Sequence, residues 1–320
     1  MMVRVRVPAT SANLGSGFDT LGLALGLYNE VEVEAAGAGL EMVVEGEGAA
    51  ELQAQGRENL VVRAMEAAFA AVGRRPAGLR ARFVNRIPLG RGLGSSSAAA
   101  VAGIAAGARL VGERLPPEAV LRLALPFEGH PDNIAPCVLG GFTVAATAGG
   151  RVHCLRVPLA RPLRAVAVIP DVLLATADAR RVLPPQVPLA DAVFNVNRAA
   201  LLVAALGQGR FDLLREAVAD RLHQPYRAPL LPGMLEVLEA GYAAGALACF
   251  LSGAGSTVLA LADGREEAIG AAMQSRWRDG FRTQTRVRTL DVDQDGLRYD
   301  IWSARHLLNR AARALRIGRL

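Results

Sequence analysis

Lysine is missing altogether: each of the 36 basic residues in this 320-residue chain is an arginine. That absence excludes Schiff-base chemistry on a lysine, and it excludes a Walker A loop, which ends in Gly-Lys-Ser/Thr. Cysteine is nearly missing too. Cys137, Cys154 and Cys249 are too few and too widely spaced for a disulfide framework or a zinc site, so they read as reduced core residues of a cytoplasmic protein. Neither Gly-x-Ser-x-Gly nor His-Glu-x-x-His occurs, which removes serine-hydrolase and zinc-protease readings. His153, His223 and His306 form no metal-ligand spacing. The N-terminus runs straight into an alternating segment, Val3 to Val7, with no apolar signal core. One uncharged stretch, 240–262, is long enough to span a bilayer. It is broken by Gly241, Gly245, Gly253 and Gly255 and reads as helix end, strand, turn, strand. A soluble protein with no membrane partner is expected.

What is present is enough for a large core. Hydrophobic residues make up 52% and charged residues 21%, which excludes disorder. At about 150 residues per domain, the length suggests two domains, with Pro158 and Pro162 marking a boundary: 1–158, 159–300, and a basic tail, 301–320. The net charge of +6 hints at polyanion binding, which nucleotide phosphates satisfy as well as nucleic acid does. No nucleic-acid partner is expected.

Periodicity predicts strands at 3–7, 31–34, 79–87, 140–146, 152–157, 164–169, 247–251, 257–262 and 284–291. It predicts helices at 59–73, 95–112, 116–125, 191–206, 211–219, 232–245 and 265–276, with a polar turn at 126–136. The most informative segment is the strand ending at Ile87, then Pro88-Leu89-Gly90-Arg91-Gly92-Leu93-Gly94-Ser95-Ser96-Ser97-Ala98, then an alanine-rich helix. Backbone N–H groups at a helix N-terminus bind phosphate, and glycines permit its close approach. A branched side chain at Gly94 is therefore expected to take the space meant for phosphate.

That string resembles the Pro-x-x-x-Gly-Leu-Gly-Ser-Ser-Ala phosphate loop of the GHMP kinases. Other segments lie in the order that family requires: Pro8-Ala9-Thr10-Ser11-Ala12-Asn13-Leu14-Gly15-Ser16-Gly17-Phe18-Asp19 near the start and Ser252-Gly253-Ala254-Gly255-Ser256-Thr257 near the end. The family usually has proline where Ser256 stands, so a looser turn is expected there. Glu128-Gly129-His130-Pro131-Asp132-Asn133-Ile134-Ala135-Pro136, Thr176 to Pro184, and Asp220 to Arg227 are similar to the branch whose acceptor is L-homoserine. The resemblance covers about residues 3–299. It implies an α+β, two-domain GHMP kinase architecture. The first domain would be ribosomal-protein-S5-like, with a left-handed β-α-β unit holding the loop, against the usual rule; the second would be ferredoxin-like. ATP and the small-molecule acceptor would meet between them, with Mg²⁺ bridging the phosphates.

The resemblance also assigns residues. Pro88 to Ala98 would hold ATP, as would Asn59 on the adenine side, although a helix-capping role for Asn59 is equally open. A zwitterionic acceptor needs an anion for its amine and arginines for its carboxylate. Asp19 with Asn13 supplies the first, Arg180 and Arg227 the second. His130, Thr176, Gly253 and Gly255 would lie beside the substrate. Glu128 and Ser96 would hold Mg²⁺. Asn133 would lie close to the transferred phosphate and Arg180 would also belong to the catalytic set, while Asp132 is the nearby carboxylate but not an expected base. The alternatives are another kinase of the same family, mevalonate-like, or a non-catalytic nucleotide or metabolite sensor.

The tail lies beyond the resemblance. Ile301, Leu308, Ala312, Leu315 and Ile317 form a loose helical stripe among Arg305, Arg310, Arg313, Arg316 and Arg319. The stripe is expected to dock on the body or on the partner subunit of a homodimer rather than to bind a polyanion.

Overall fold

The computed structural model describes residues 2–302. In chain order the elements are β1 (Met2–Ala12), β2 (Leu21–Ala36), β3 (Gly39–Gly46), α1 (Ala49–Ala54), α2 (Leu60–Val72), β4 (Gly78–Asn85), α3 (Ser95–Leu110), α4 (Pro117–Glu128), α5 (Pro131–Leu139), β5 (Phe142–Ala148) and β6 (Arg151–Val157). They continue with β7 (Arg164–Pro170), α6 (Thr176–Arg181), α7 (Leu189–Gln208), α8 (Leu214–Ala217), α9 (Gln224–Arg227), α10 (Met234–Ala243), β8 (Ala248–Leu251), β9 (Val258–Ala262), α11 (Glu266–Phe281), β10 (Thr285–Asp291) and β11 (Arg298–Trp302).

Alternation builds the first sheet. Val3, Val5 and Val7 of β1 are fully buried, while Arg4 points outward and meets Glu30 of β2 at 2.7 Å. The sheet runs β11-β1-β2-β4-β3, with β5 and β6 branching from β2. β3 and β4 are parallel, so α1 and α2 form the crossover between them. A register shift between Pro8 and Ala9 bends β1, and its far end, Ala9–Ala12, is wholly buried beneath the phosphate loop. The alanines and glycines of α3 let it lie deep in the core. A Cβ on Gly103 would sit 2.4 Å from the Val61 carbonyl, so α2 and α3 approach too closely for any side chain there.

The second sheet is β10-β7-β9-β8, antiparallel throughout. That order is the ferredoxin-like arrangement of two βαβ halves. Val166, Val168, Val258 and Ala260 face one way, into a core with Trp277 and Met273 of α11. Ala165, Ala167, Leu259 and Leu261 face the other way and join the core of the first sheet, so the halves share apolar packing.

Three sequence expectations change. The polar turn at 126–136 is instead the end of α4 and most of α5. The helix at 211–219 is a 3₁₀ turn (Phe211–Leu213) followed by the single turn of α8. Ile301 and Trp302 pair with Val3 and Met2 in β11; the remainder of the tail, 303–320, lies outside the described residues. Of the described helices, α7, rather than 240–262, is long and apolar enough to cross a membrane, and Leu189, Val193 and Val196 are exposed along it.

Candidate active site

The phosphate loop joins β4 to α3. Gly94 caps α3 at φ 69, a left-handed conformation that suits glycine. The loop's carbonyls are turned outward and tied down. Thr10 N–H donates to Leu93 O (3.1 Å) and Thr257 N–H to Arg91 O (3.1 Å), while the Ser252 hydroxyl donates to Gly92 O (2.7 Å). The first N–H groups of α3 have no intrahelical acceptor, and its first turn carries no acidic residue. This end of the helix is therefore left positive for an anion.

Two cavities meet at the loop. One, of about 310 Å³, is mainly apolar, with Val44, Leu60, Phe83, Leu89 and Ala99 among its walls. The other, of about 130 Å³, is polar and lined by Asn13, Asp19, Pro88, Gly90–Ser96, Glu128, His130, Asp132, Asn133, Thr176, Arg180, Arg227 and Gly253. Gly90, Ser95 and Ser96 line both. Residues from β1, α4, α5, α6, α9 and the β8–β9 turn thus converge on the loop from both halves of the chain.

At the polar end, Asn13 organises the β1–β2 connection. Its Oδ1 accepts from Asp19 N–H (2.9 Å) and its Nδ2 donates to Gly253 O (3.0 Å). Asn13 and Asp19 both have positive φ, 69 and 55, which Asn and Asp tolerate better than other side chains. Arg180 Nη2 donates to Asp19 Oδ1 at 2.5 Å. Arg227 is 2% exposed, and its described hydrogen bonds all go to neutral acceptors. Nε donates to Ala179 O, and Nη1 donates to Gly253 O and His223 Nδ1. The described bonds leave Nη2 uncommitted, and Arg227 lines the polar cavity. Burial, followed by the neighbouring Arg180, brings the Arg227 pKa down to about 10, so the group stays charged at neutral pH.

Glu128 ends α4 against the loop. One oxygen bonds the Ser96 hydroxyl, and the other accepts from Ser97 at 2.5 Å. These are hard oxygen donors of the kind Mg²⁺ takes. No cluster of three His, Cys, Asp or Glu side chains that could hold a metal occurs among the described residues. A magnesium ion at Glu128 and Ser96 would therefore complete its shell with phosphate and water oxygens, so the residues fit the ion. Asp132, 3% exposed, has its pKa pushed up to about 7 by burial and then by Asp19. Burial also lowers the His130 pKa. Asn133 Oδ1 accepts from the Thr10 hydroxyl (2.8 Å), which leaves its Nδ2 to donate into the cavity.

Most of the sequence-nominated residues are brought together, and the exceptions are specific. Asn59 lines the apolar cavity, yet its amide caps α2 through Val61 N–H (3.0 Å) and also donates to Leu52 O (3.1 Å). Ser97, Ala98 and Gly255 line neither cavity; Ser97 acts on Glu128, Ala98 is fully buried, and Gly255 N–H bonds Ser252 O behind the loop. Ser256 is not loose: it is buried and donates to Val172 O at 2.5 Å. Sequence reading missed Thr10 and Phe18, although both stand in the N-terminal string that flagged Asn13. It also missed Asp171, whose carboxylate pairs with Arg91 at 2.9 Å and which no motif marks.

Comparison with known proteins agrees with this geometry. The model of the GHMP kinases N terminal domain matches residues 59–141, and that of the GHMP kinases C terminal matches 202–279. A homoserine kinase of Moorella thermoacetica is 48% identical, the match covering 85% of this chain and 91% of the relative. One from Thermus thermophilus is 51% identical over 83% of this chain and 88% of its own length. The crystal structure of homoserine kinase from Cytophaga hutchinsonii superposes with a TM-score of 0.85 at 30% identity, covering 93% of this chain and 97% of that one.

Proposed function

The chain belongs to the homoserine kinases of the GHMP kinase family, and from that premise we propose how its cleft moves a phosphoryl group from ATP to L-homoserine. The bond from the γ-phosphorus to the ADP oxygen breaks and one to the homoserine side-chain oxygen forms. The hydroxyl proton is released, and the products are ADP and O-phospho-L-homoserine, an intermediate of threonine biosynthesis. The chemistry asks for positioning and charge neutralisation rather than a covalent intermediate.

The observation that carries the assignment of roles is the pairing of a buried, carboxylate-free Arg227 with Asp19 in one small cavity. A zwitterion answers both. Its ammonium goes to Asp19 and its carboxylate to Arg227 Nη2 and to Arg180, as charge-assisted hydrogen bonds. Mevalonate carries a carboxylate but no amine, and galactose carries neither. Mevalonate would leave Asp19 with Arg180 alone, and galactose would also leave the buried Arg227 without an anion.

The α3 N-terminus and the loop receive the ATP phosphates, and the apolar cavity takes the base. Glu128 and Ser96 hold Mg²⁺, which when bound neutralises charge on the phosphates. Asn133 Nδ2 donates to the transferred group. Family resemblance gives no strong protein base, so we assign the hydroxyl proton to phosphate or water; Asp132, its pKa raised to about 7 by burial, is the alternative acceptor. We further propose that the enzyme works in the cytoplasm as a homodimer. ADP release from ATP–Mg²⁺ in the presence of homoserine, mevalonate, galactose or no acceptor tests the reading: turnover with homoserine alone is expected, and equal turnover with mevalonate would overturn it.

A further inference from the structure

Arg227 is the cation that the substrate carboxylate meets, but its own position is set by a residue outside the cavity. His223 is fully buried and lines neither cavity. Its Nδ1 lies 3.2 Å from Arg227 Nη1 and its Nε2 lies 2.8 Å from Gly15 O. A guanidinium can only donate and a carbonyl can only accept, so these partners fix the tautomer: Nε2 carries the hydrogen and Nδ1 is bare. Burial holds the imidazole pKa well below its ordinary value, so the Nδ1 lone pair persists at working pH.

The ring is itself immobilised. Phe18 stacks on it at 5.2 Å between centroids and 22° between planes. The His223 backbone is held by Asp220, whose carboxylate accepts from Leu222, His223 and Gln224 N–H groups (2.8, 3.1 and 2.6 Å) and from Asn195 Nδ2 at 2.8 Å. With Nη1 committed to His223 and Gly253 O and with Nε committed to Ala179 O, only the Nη2 edge of Arg227 remains for a ligand. Gly253 O also accepts from Asn13 Nδ2, and Asn13 sets Asp19. Cation and anion subsites are thereby referenced to one carbonyl.

We propose that His223 is a positioning residue for the kinase reaction: its bare Nδ1 accepts from Arg227 and so aims the free edge of that guanidinium at the substrate carboxylate. The proposal rests on the reading of Arg227 as the carboxylate's partner. Without the acceptor, one Nη1 hydrogen is left buried and unsatisfied, and the guanidinium rotates to relieve it.

Three substitutions separate aiming from packing. H223N keeps a side-chain acceptor near the Nδ1 position, H223Q keeps a polar group near Nε2 instead, and H223L keeps neither. Steady-state kinetics on the full-length protein, with homoserine and ATP varied in turn, should show the homoserine KM raised about tenfold in H223Q and H223L, the ATP KM within about twofold of wild type, and most of the loss recovered in H223N. In an R227L background, H223Q should add no further loss in homoserine kcat/KM, because two residues acting through one bond are non-additive. Equal losses in H223N and H223Q, or additivity of H223Q with R227L, would show that His223 only packs. If R227L itself left the homoserine KM unchanged, the carboxylate assignment would fall and the aiming role with it. That outcome is recognisable from the R227L single variant before any His223 variant is read.

Discussion

Asp19 and Arg180, 161 residues apart in the chain, hold each other across the polar cavity with 2.5 Å between Oδ1 and Nη2. Each side chain is about a third exposed, so the pair itself contributes little, at most about 1 kcal/mol. A zwitterion can therefore exchange with it at low cost, giving Asp19 an ammonium and Arg180 a carboxylate.

Removing the anion at Asp19 or the cation at Arg227 should consequently act on the acceptor and not on ATP. Asp19→Asn and Arg227→Leu are each expected to raise the homoserine KM by roughly ten- to 150-fold, about 1.5–3 kcal/mol for a charge-assisted bond. Initial rates over a grid of both substrates check it. A shift in the ATP KM alone would move both residues to the nucleotide side.

Glu128 gives a metal-specific test. Glu128→Gln keeps an oxygen near the Ser96 hydroxyl but removes the charge, so half-saturation by Mg²⁺ should rise by at least about 10- to 100-fold. The titration is run at saturating ATP and homoserine. An unchanged Mg²⁺ requirement with a lowered rate would make Glu128 an anchor for the loop rather than a ligand.

Gly94 answers differently from the sequence expectation. A Cβ there meets Thr10 Oγ1 at 2.0 Å and Asn133 Oδ1 at 3.2 Å, so the first thing it strikes is protein, not phosphate. Gly94→Ala should cost about 1–3 kcal/mol of stability from the left-handed backbone, besides the clash, and should break the Thr10–Asn133 bond. Adding Thr10→Ala should recover stability, read by urea denaturation, without recovering turnover.

Asp132 predicts a pH dependence of folding. Its folded pKa of about 7 stands above the ordinary aspartate value, so the folded state binds the proton more tightly than the unfolded chain does. The resulting stabilisation is complete below about pH 4 and is lost as the pH rises towards 7. Asp132→Asn escapes that loss. Its stability relative to wild type should rise by about 2–3 kcal/mol between pH 5 and pH 8, measured by denaturant unfolding at both values. A constant gap would mean that Asp132 stays ionised throughout.

The parts of the fold that periodicity reaches were legible: the alternating valines of β1, the glycine loop between β4 and α3, and the helix-strand-turn-strand run ending at Ala262. α5 was hidden by its prolines. Pro131 occupies the first helical position, where the missing N–H costs nothing. Pro136 leaves the Asp132 carbonyl without its usual i+4 donor, and short-range rules read both as breaks. β11 could not be read either, because its partner β1 lies at the other end of the sequence. In the site, motif strings marked the residues that point into the cavity. They gave no role to Thr10, which acts on Asn133 from behind, and assigned Ser97 to ATP where it acts on Glu128, since a supporting role depends on contacts made only after folding.

The pairing of β1 with β11, Met2 opposite Trp302, has a consequence for synthesis. The sheet beneath the phosphate loop cannot be completed until the last described strand has left the ribosome. At about 5–20 residues per second, the outer edge of β1 is left open for roughly 15–60 s after the strand itself is made. An open apolar edge of that duration invites pairing with a neighbouring nascent chain. Arg4 and Arg6, alternating with the valines along β1, place charge on that edge throughout the interval, so their solvent-facing positions guard the chain before they serve the finished molecule.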